Sequence, residues 1–212
     1  MSTASGTQLT IHQKWQTKRG GPGHWRNVDW IVLDVSWNNF WNKDQTGLFF
    51  PATPLRGYFD PSRPELSLVA DSIDVNGVWR VGERVRVLGE LNFNLDTSNL
   101  EQFATGIAVD QTDSLAYFIG NRYIDALNTD EWTVAVDYRL TKKYSIVASE
   151  SYDFQLRDNI LSSVTLIRRL PRFNTSLTVT YDANSADTSV VFSAWPEGFA
   201  DMGFGNRATS SR

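Results

Sequence analysis

Residues Glu131 to Leu140 read EWTVAVDYRL, and the phase of this run decides the fold. Trp132, Val134, Val136, Tyr138 and Leu140 fall in one phase, with Thr133, Ala135, Asp137 and Arg139 in the other. Side chains alternate faces along a β-strand, so this period of two places an apolar face opposite a wet one. A helix would group apolar residues three and four apart instead.

The same phase governs two other stretches. Val85, Val87, Gly89, Leu91, Phe93 and Leu95 oppose Arg84, Arg86, Leu88, Glu90, Asn92 and Asn94. Phe173, Thr175, Leu177, Val179 and Tyr181 oppose Asn174, Ser176, Thr178 and Thr180. Further runs at 7–17, 28–39, 66–80, 100–110, 114–124, 143–154, 159–170 and 187–195 bring the total to about eleven strands. Glu150 shares the phase of Ile146, Ala148 and Tyr152, which calls for a bulge nearby or an exit from the apolar zone. The reading is all-β: an antiparallel up-and-down transmembrane β-barrel over residues 1–199, followed by a polar tail at 200–212.

From residue 80 onward the connections predict an asymmetry between the two ends of the sheet. Val81-Gly82-Glu83, Gln111-Thr112-Asp113, Thr141-Lys142 and Pro171-Arg172 read as tight turns, and 96–99, 125–130, 155–158 and 182–186 as longer ones. Outer-membrane barrels have short periplasmic turns and longer outside loops. The stretch at about 40–65 holds four of the seven prolines and reads as a large outside loop. An odd strand count places the two termini on opposite sides, whereas single-chain bacterial barrels normally have an even count. An open sheet would also leave unpaired edges in lipid. The expectation is therefore the C-terminal part of a larger barrel.

Composition excludes several classes. The 212 residues are 41% hydrophobic, too apolar for a disordered chain, and a net charge of −4 argues against nucleic acid as a partner. With no cysteine there is no disulfide, thiolate metal site or cysteine nucleophile. No run is long and apolar enough for a spanning helix, but a barrel needs none.

Of the marked residues, Trp15, Trp37, Trp41, Trp79, Tyr123, Trp132, Tyr144 and Trp195 lie near strand ends. They suit the aromatic girdles of a membrane barrel, or packing inside a soluble sheet core. The strand charges Arg86, Glu90, Arg122, Asp137, Arg139, Asp153, Arg168 and Arg169 either line a lumen that passes a charged amphiphile or form cross-strand pairs that keep it wet. Arg86, Glu90, Asp137 and Arg139 are the candidate lumen-facing set. His12 and His24 lack companions at metal-ligand spacing, and the GGPGHW turn carries no phosphate-loop signature. Asp71 and Asp74 do not mark hydrolysis, and no serine sits in a nucleophile elbow. The sequence therefore predicts no catalytic residue, cofactor or metal.

The segment LTKKYSIVASESYDFQLRDNILSSVTLIRRLPRFNTSLTVTYD, together with VVFSAWPEGF, resembles the end of the barrel of LptD. This is the lipopolysaccharide-assembly family, also called organic-solvent-tolerance proteins, and the likeness is to its planctomycete-like forms. The upstream piece LGELNFNLDTSNLEQFATGIAVDQTDSLAYFIGNRYID is similar too, so the resemblance covers about residues 66–200. It implies a bacterial outer-membrane barrel of about twenty-six strands that guides lipopolysaccharide sideways into the outer leaflet without enzymatic chemistry. The implied partners are lipopolysaccharide, outer-membrane lipid, a plug lipoprotein and periplasmic transport-bridge proteins. The chain lacks the cysteines with which many members tie barrel to periplasmic domain, so oxidation-controlled assembly does not carry over.

If the resemblance holds, the final strand, about Thr188 to Trp195, is one lip of a lateral gate. Val190, Phe192, Trp195 and Pro196 are its candidate residues, with Pro196 ending the ladder by lacking a donor. Rival readings from the residues alone are a soluble or peripheral all-β carbohydrate-binding sandwich, a general porin, or an outer-membrane enzyme.

Overall fold

The computed structural model describes residues 5–41, 48–49, 54–55, 57–59, 67–183 and 185–196. The long strands are β1 (Gly6–Arg19), β2 (Arg26–Phe40), β5 (Ser72–Arg80), β6 (Val85–Asn94), β7 (Asn99–Thr112) and β8 (Leu115–Ile124). They continue as β9 (Thr129–Arg139), β10 (Tyr144–Asp153), β11 (Asp158–Leu170), β12 (Phe173–Asp182) and β13 (Asp187–Pro196). The short strands β3 (Leu48–Phe49) and β4 (Ser67–Leu68) pair with each other inside the β2–β5 connection.

The eleven long strands form one sheet in sequence order, each antiparallel to its neighbours. The all-β, up-and-down architecture read from the alternation is the one observed. Because direction alternates over an odd number of strands, β1 and β13 run parallel. Among the described residues each of them has a single neighbour.

A flat single sheet would leave both faces open, yet here one face is buried. Arg122, Glu131 and Asp153 are 1%, 0% and 0% exposed, whereas Val134 and Phe192 are 47% and 67% exposed. The sheet therefore curls, with the polar phase inside. In the described residues no second large sheet meets the apolar phase, which overturns the sandwich reading: its apolar faces would have to touch.

The predicted difference between tight and long connections is largely lost. At one end 81–84, 113–114, 140–143 and 171–172 connect the strands, and at the other 95–98, 125–128, 154–157 and 183–186. Polar residues such as Asn99, Thr129 and Asp158 join the ladder and shorten the expected loops. The exception is the β2–β5 connection; most of the predicted 40–65 loop, and the 200–212 tail, lie outside the described residues. The expected strand at 66–80 begins only at Ser72.

Turn chemistry at the second end repeats. The Asn94 Oδ1 accepts from the N–H groups of Asp96 and Thr97, and the Asp153 Oδ1 from those of Gln155 and Leu156. The Asp182 Oδ1 accepts from Ser185 N–H. Such side-chain bonds to the backbone two and three residues on replace the ladder where the chain reverses.

Candidate functional site

The inner face is a transverse ladder of polar side chains. At its β1 side the Thr10 and Ser36 hydroxyls bond at 2.8 Å, and His12 Nδ1 meets Asp34 Oδ1 at 2.5 Å. Asn38 donates to Ser72 Oγ at 3.1 Å and to Asp74, which also accepts from Asn92. Gln102 Nε2 donates to Glu90 Oε1 at 2.5 Å, and Arg122 Nη2 to Glu131 Oε2 at 2.6 Å. Hydroxyl pairs continue the series: Thr133 with Ser151 at 2.7 Å, Ser149 with Ser163 at 2.8 Å, and Thr165 with Thr178 at 2.9 Å. Cross-strand register makes these meetings possible, because facing residues of an antiparallel pair lie within side-chain reach.

Burial of these polar groups is tolerable where they hydrogen-bond one another across the strands. The Arg122–Glu131 pair is the clearest case. Removing one partner would strand a buried charge, whereas in the intact pair guanidinium and carboxylate meet at 2.6 Å.

Arg86, Glu90, Asp137 and Arg139 all occupy the inner phase. Arg86 Nη2 reaches Asp110 Oδ2 at 3.3 Å, Glu90 sits in the ladder, and Asp137 faces Ala116 and Val147 in register. The four are not brought into one cluster. Arg168 departs from the lumen set: it shares the outward phase of Val164 and Leu166, and its guanidinium lies 5.7 Å from the Tyr144 ring centroid. A long cationic side chain close to the turn can reach water from the apolar face, which is why Arg168 is tolerated there.

On β13, Val190 and Phe192 are exposed in the outward phase, while Trp195 faces Asn174 in the inner phase. Pro196, where the described residues end, is paired opposite Phe173.

The outward face carries aromatic residues in two rows. Trp15, Trp79, Tyr117, Tyr138, Tyr144 and Phe173 lie toward the end of the 81–84 turn, and Trp37, Phe103, Trp132, Tyr152 and Tyr181 toward the other. Between them stand Leu33, Ile107, Ile119, Val136, Ala148, Val164 and Val179. Tyr144 and Tyr152 are eight residues apart on β10, roughly 26 Å along the strand and about 20 Å of depth at a tilt near 40°.

Sequence reasoning missed an apolar island on the inner face. Leu88, Ala104, Ala108 and Phe118 form a buried cluster with Leu55 and Phe59 of the β2–β5 connection. Its signal was present: Leu88 and Phe118 are large apolar residues in the wet phase of β6 and β8, the two strands that flank β7 with Ala104 and Ala108. Among the described residues no group of three or more histidines and carboxylates could hold a metal ion.

The class that this geometry defines is an up-and-down antiparallel sheet of barrel type, polar within and apolar without. No family model matches the sequence, and no curated protein matches it. Among solved structures the chain is similar to the NanC porin, with a TM-score of 0.42 and 11% identity over 92% of this chain and 93% of that one.

Proposed function

We propose that the chain forms wall of a bacterial outer-membrane β-barrel and guides lipopolysaccharide toward the outer leaflet. The observation that carries the membrane reading is the inverted burial: polar side chains inside, a mostly apolar band outside between two aromatic rows. Water cannot be the solvent of such an outer surface, because exposed apolar patches of this extent drive association. Lipid satisfies it, and the paired backbone of a strand ladder suits hydrocarbon.

The lipid-export reading draws on the resemblance of residues 66–200 to the assembly family and on the state of β13. That strand has a neighbour only at β12 among the described residues, as the lip of a lateral exit would. A general porin is the second reading, favoured by the hydroxyl and amide ladder, which would hydrate a small polar solute equally well.

The cysteine-free chain permits a direct test of the membrane. Single cysteines placed along 132–140 and labelled with an environment-sensitive dye should alternate: quenching from lipid-borne nitroxide at 134 and 136, from aqueous iodide at 135 and 137. Equal aqueous quenching at both phases would falsify membrane insertion. For the substrate, a photo-crosslinking residue in place of Phe192 should capture lipopolysaccharide in cells, and one in place of Ile119 should not. Equal capture at both positions removes the gate.

A further inference from the structure

We propose that Leu55, Tyr58 and Phe59 form an internal plug, seated on an apolar island of the inner face, that sets the size of solute the polar interior passes. The proposal rests on the reading of that interior as a passage through a membrane barrel. An apolar patch on a water-filled wall is unfavourable unless something covers it. Here the covering residues belong to the β2–β5 connection, the longest between sheet strands, and they are buried against Leu88, Ala104, Ala108 and Phe118.

The seat is built by two glycines. Gly106 and Gly120 face each other in register on β7 and β8, and the Phe118 ring lies over both. A Cβ at Gly106 would stand 2.4 Å from the Phe118 ring, and one at Gly120 2.5 Å from it. Phe118 can lie flat only because both positions lack a side chain. Flattened, it offers one face to Tyr58, stacked at 4.2 Å between centroids, and meets Phe59 edge-on at 5.9 Å. The Arg122 guanidinium, held by Glu131, caps the Phe59 ring at 4.7 Å from its centroid. Leu55 fills the floor beside Gly106. The plug is thus clamped between an aromatic ring and a cation, both fixed on the wall, and it occupies space that a solute following the polar ladder would cross.

The test uses vesicles containing the full 212-residue chain, with swelling rates measured for a pentose and for a tetrasaccharide. Insertion is checked independently by flotation and by the gel-mobility shift on heating. Tyr58→Ser with Phe59→Ser alters the connection and leaves strand pairing intact; Phe118→Ser alters the seat; Thr175→Ser, on the outward phase of β12 and off the polar interior, is the control.

Several-fold faster tetrasaccharide entry in both the connection and the seat variants, with the control at the wild-type rate, supports the plug. Inserted protein with the same tetrasaccharide rate in every variant overturns the plug and leaves the membrane reading standing. A chain that does not enter vesicles overturns both.

Discussion

At the residue scale, the turns and the buried ion pair make the sharpest predictions. Ser98, Arg157 and Ala186 adopt φ of 57°, 56° and 52°, each just before a strand resumes. The left-handed region costs a non-glycine residue about 1 kcal/mol or more. Ala186→Gly should therefore stabilise the chain by about 0.5–1 kcal/mol, read as a higher urea midpoint at an unchanged slope. The Arg122–Glu131 pair should behave in the opposite sense. Glu131→Ala leaves a buried guanidinium beside Phe59 and should cost about 3–5 kcal/mol, while Arg122→Met with Glu131→Leu should cost much less. If single and double variants unfold at the same midpoint, the pair is not desolvated as its burial implies. The polar turn residues were legible in the sequence, because Asn and Asp before a reversal have a local mechanism. The pairing of Arg122 with Glu131 was not, because it depends on a register that no single strand specifies.

At the element scale, alternation carried nearly all the information. The eleven long strands follow from it, since a phase of two repeated between turn residues has no helical equivalent. The strand ends that run past the expected ones share a cause: hydrogen-bond ladders continue through polar residues that the apolar phase does not mark, as at Thr112 of β7. Glu150 is an instructive irregularity. The sequence called for a bulge near it or an exit from the apolar zone, and the register shifts between Ser151 and Tyr152, leaving Ile160 of β11 as the extra residue. The shift carries Asn159 onto the outward phase, where it donates to Glu150 and lies 3.2 Å from Ser162 Oγ. This polar spot faces outward between Val134 and Ser162 in register, one pair from Val136 and Val164, where a carboxylate is unfavourable in lipid. Glu150→Val should raise stability in vesicles by about 1 kcal/mol, less than the penalty for a mid-membrane Arg or Lys because acidic residues are less costly there. A fall in the urea midpoint would mean instead that the Asn159 bond outweighs desolvation.

At the scale of the whole molecule, the inverted burial has a quantitative consequence that separates a bilayer from any other apolar environment. Lipid is graded: hydrocarbon lies at mid-depth and hydrated headgroups at the rims, so the cost of an outward charge must depend on position along the strand. A protein partner packed on the same face would impose no such profile. Ala148 lies midway between Tyr144 and Tyr152, and its register partners are Val136 and Val164. Leu140 is equally outward but just past the end of β9, beyond Tyr138. Val136→Arg and Val164→Arg should each cost about 2–4 kcal/mol in vesicle unfolding, and Leu140→Arg no more than about 1 kcal/mol. The inner phase supplies the control, since Ala135→Arg is one residue away from Val136 and points at the polar interior, where its cost should reflect crowding near the plug and not depth. Equal costs at Val136 and Leu140 would remove the bilayer as the source of the outward pattern. A graded profile across β9 and β11, centred on the Ala148 level, would fix both the tilt of the sheet and the depth at which the two aromatic rows meet the headgroups.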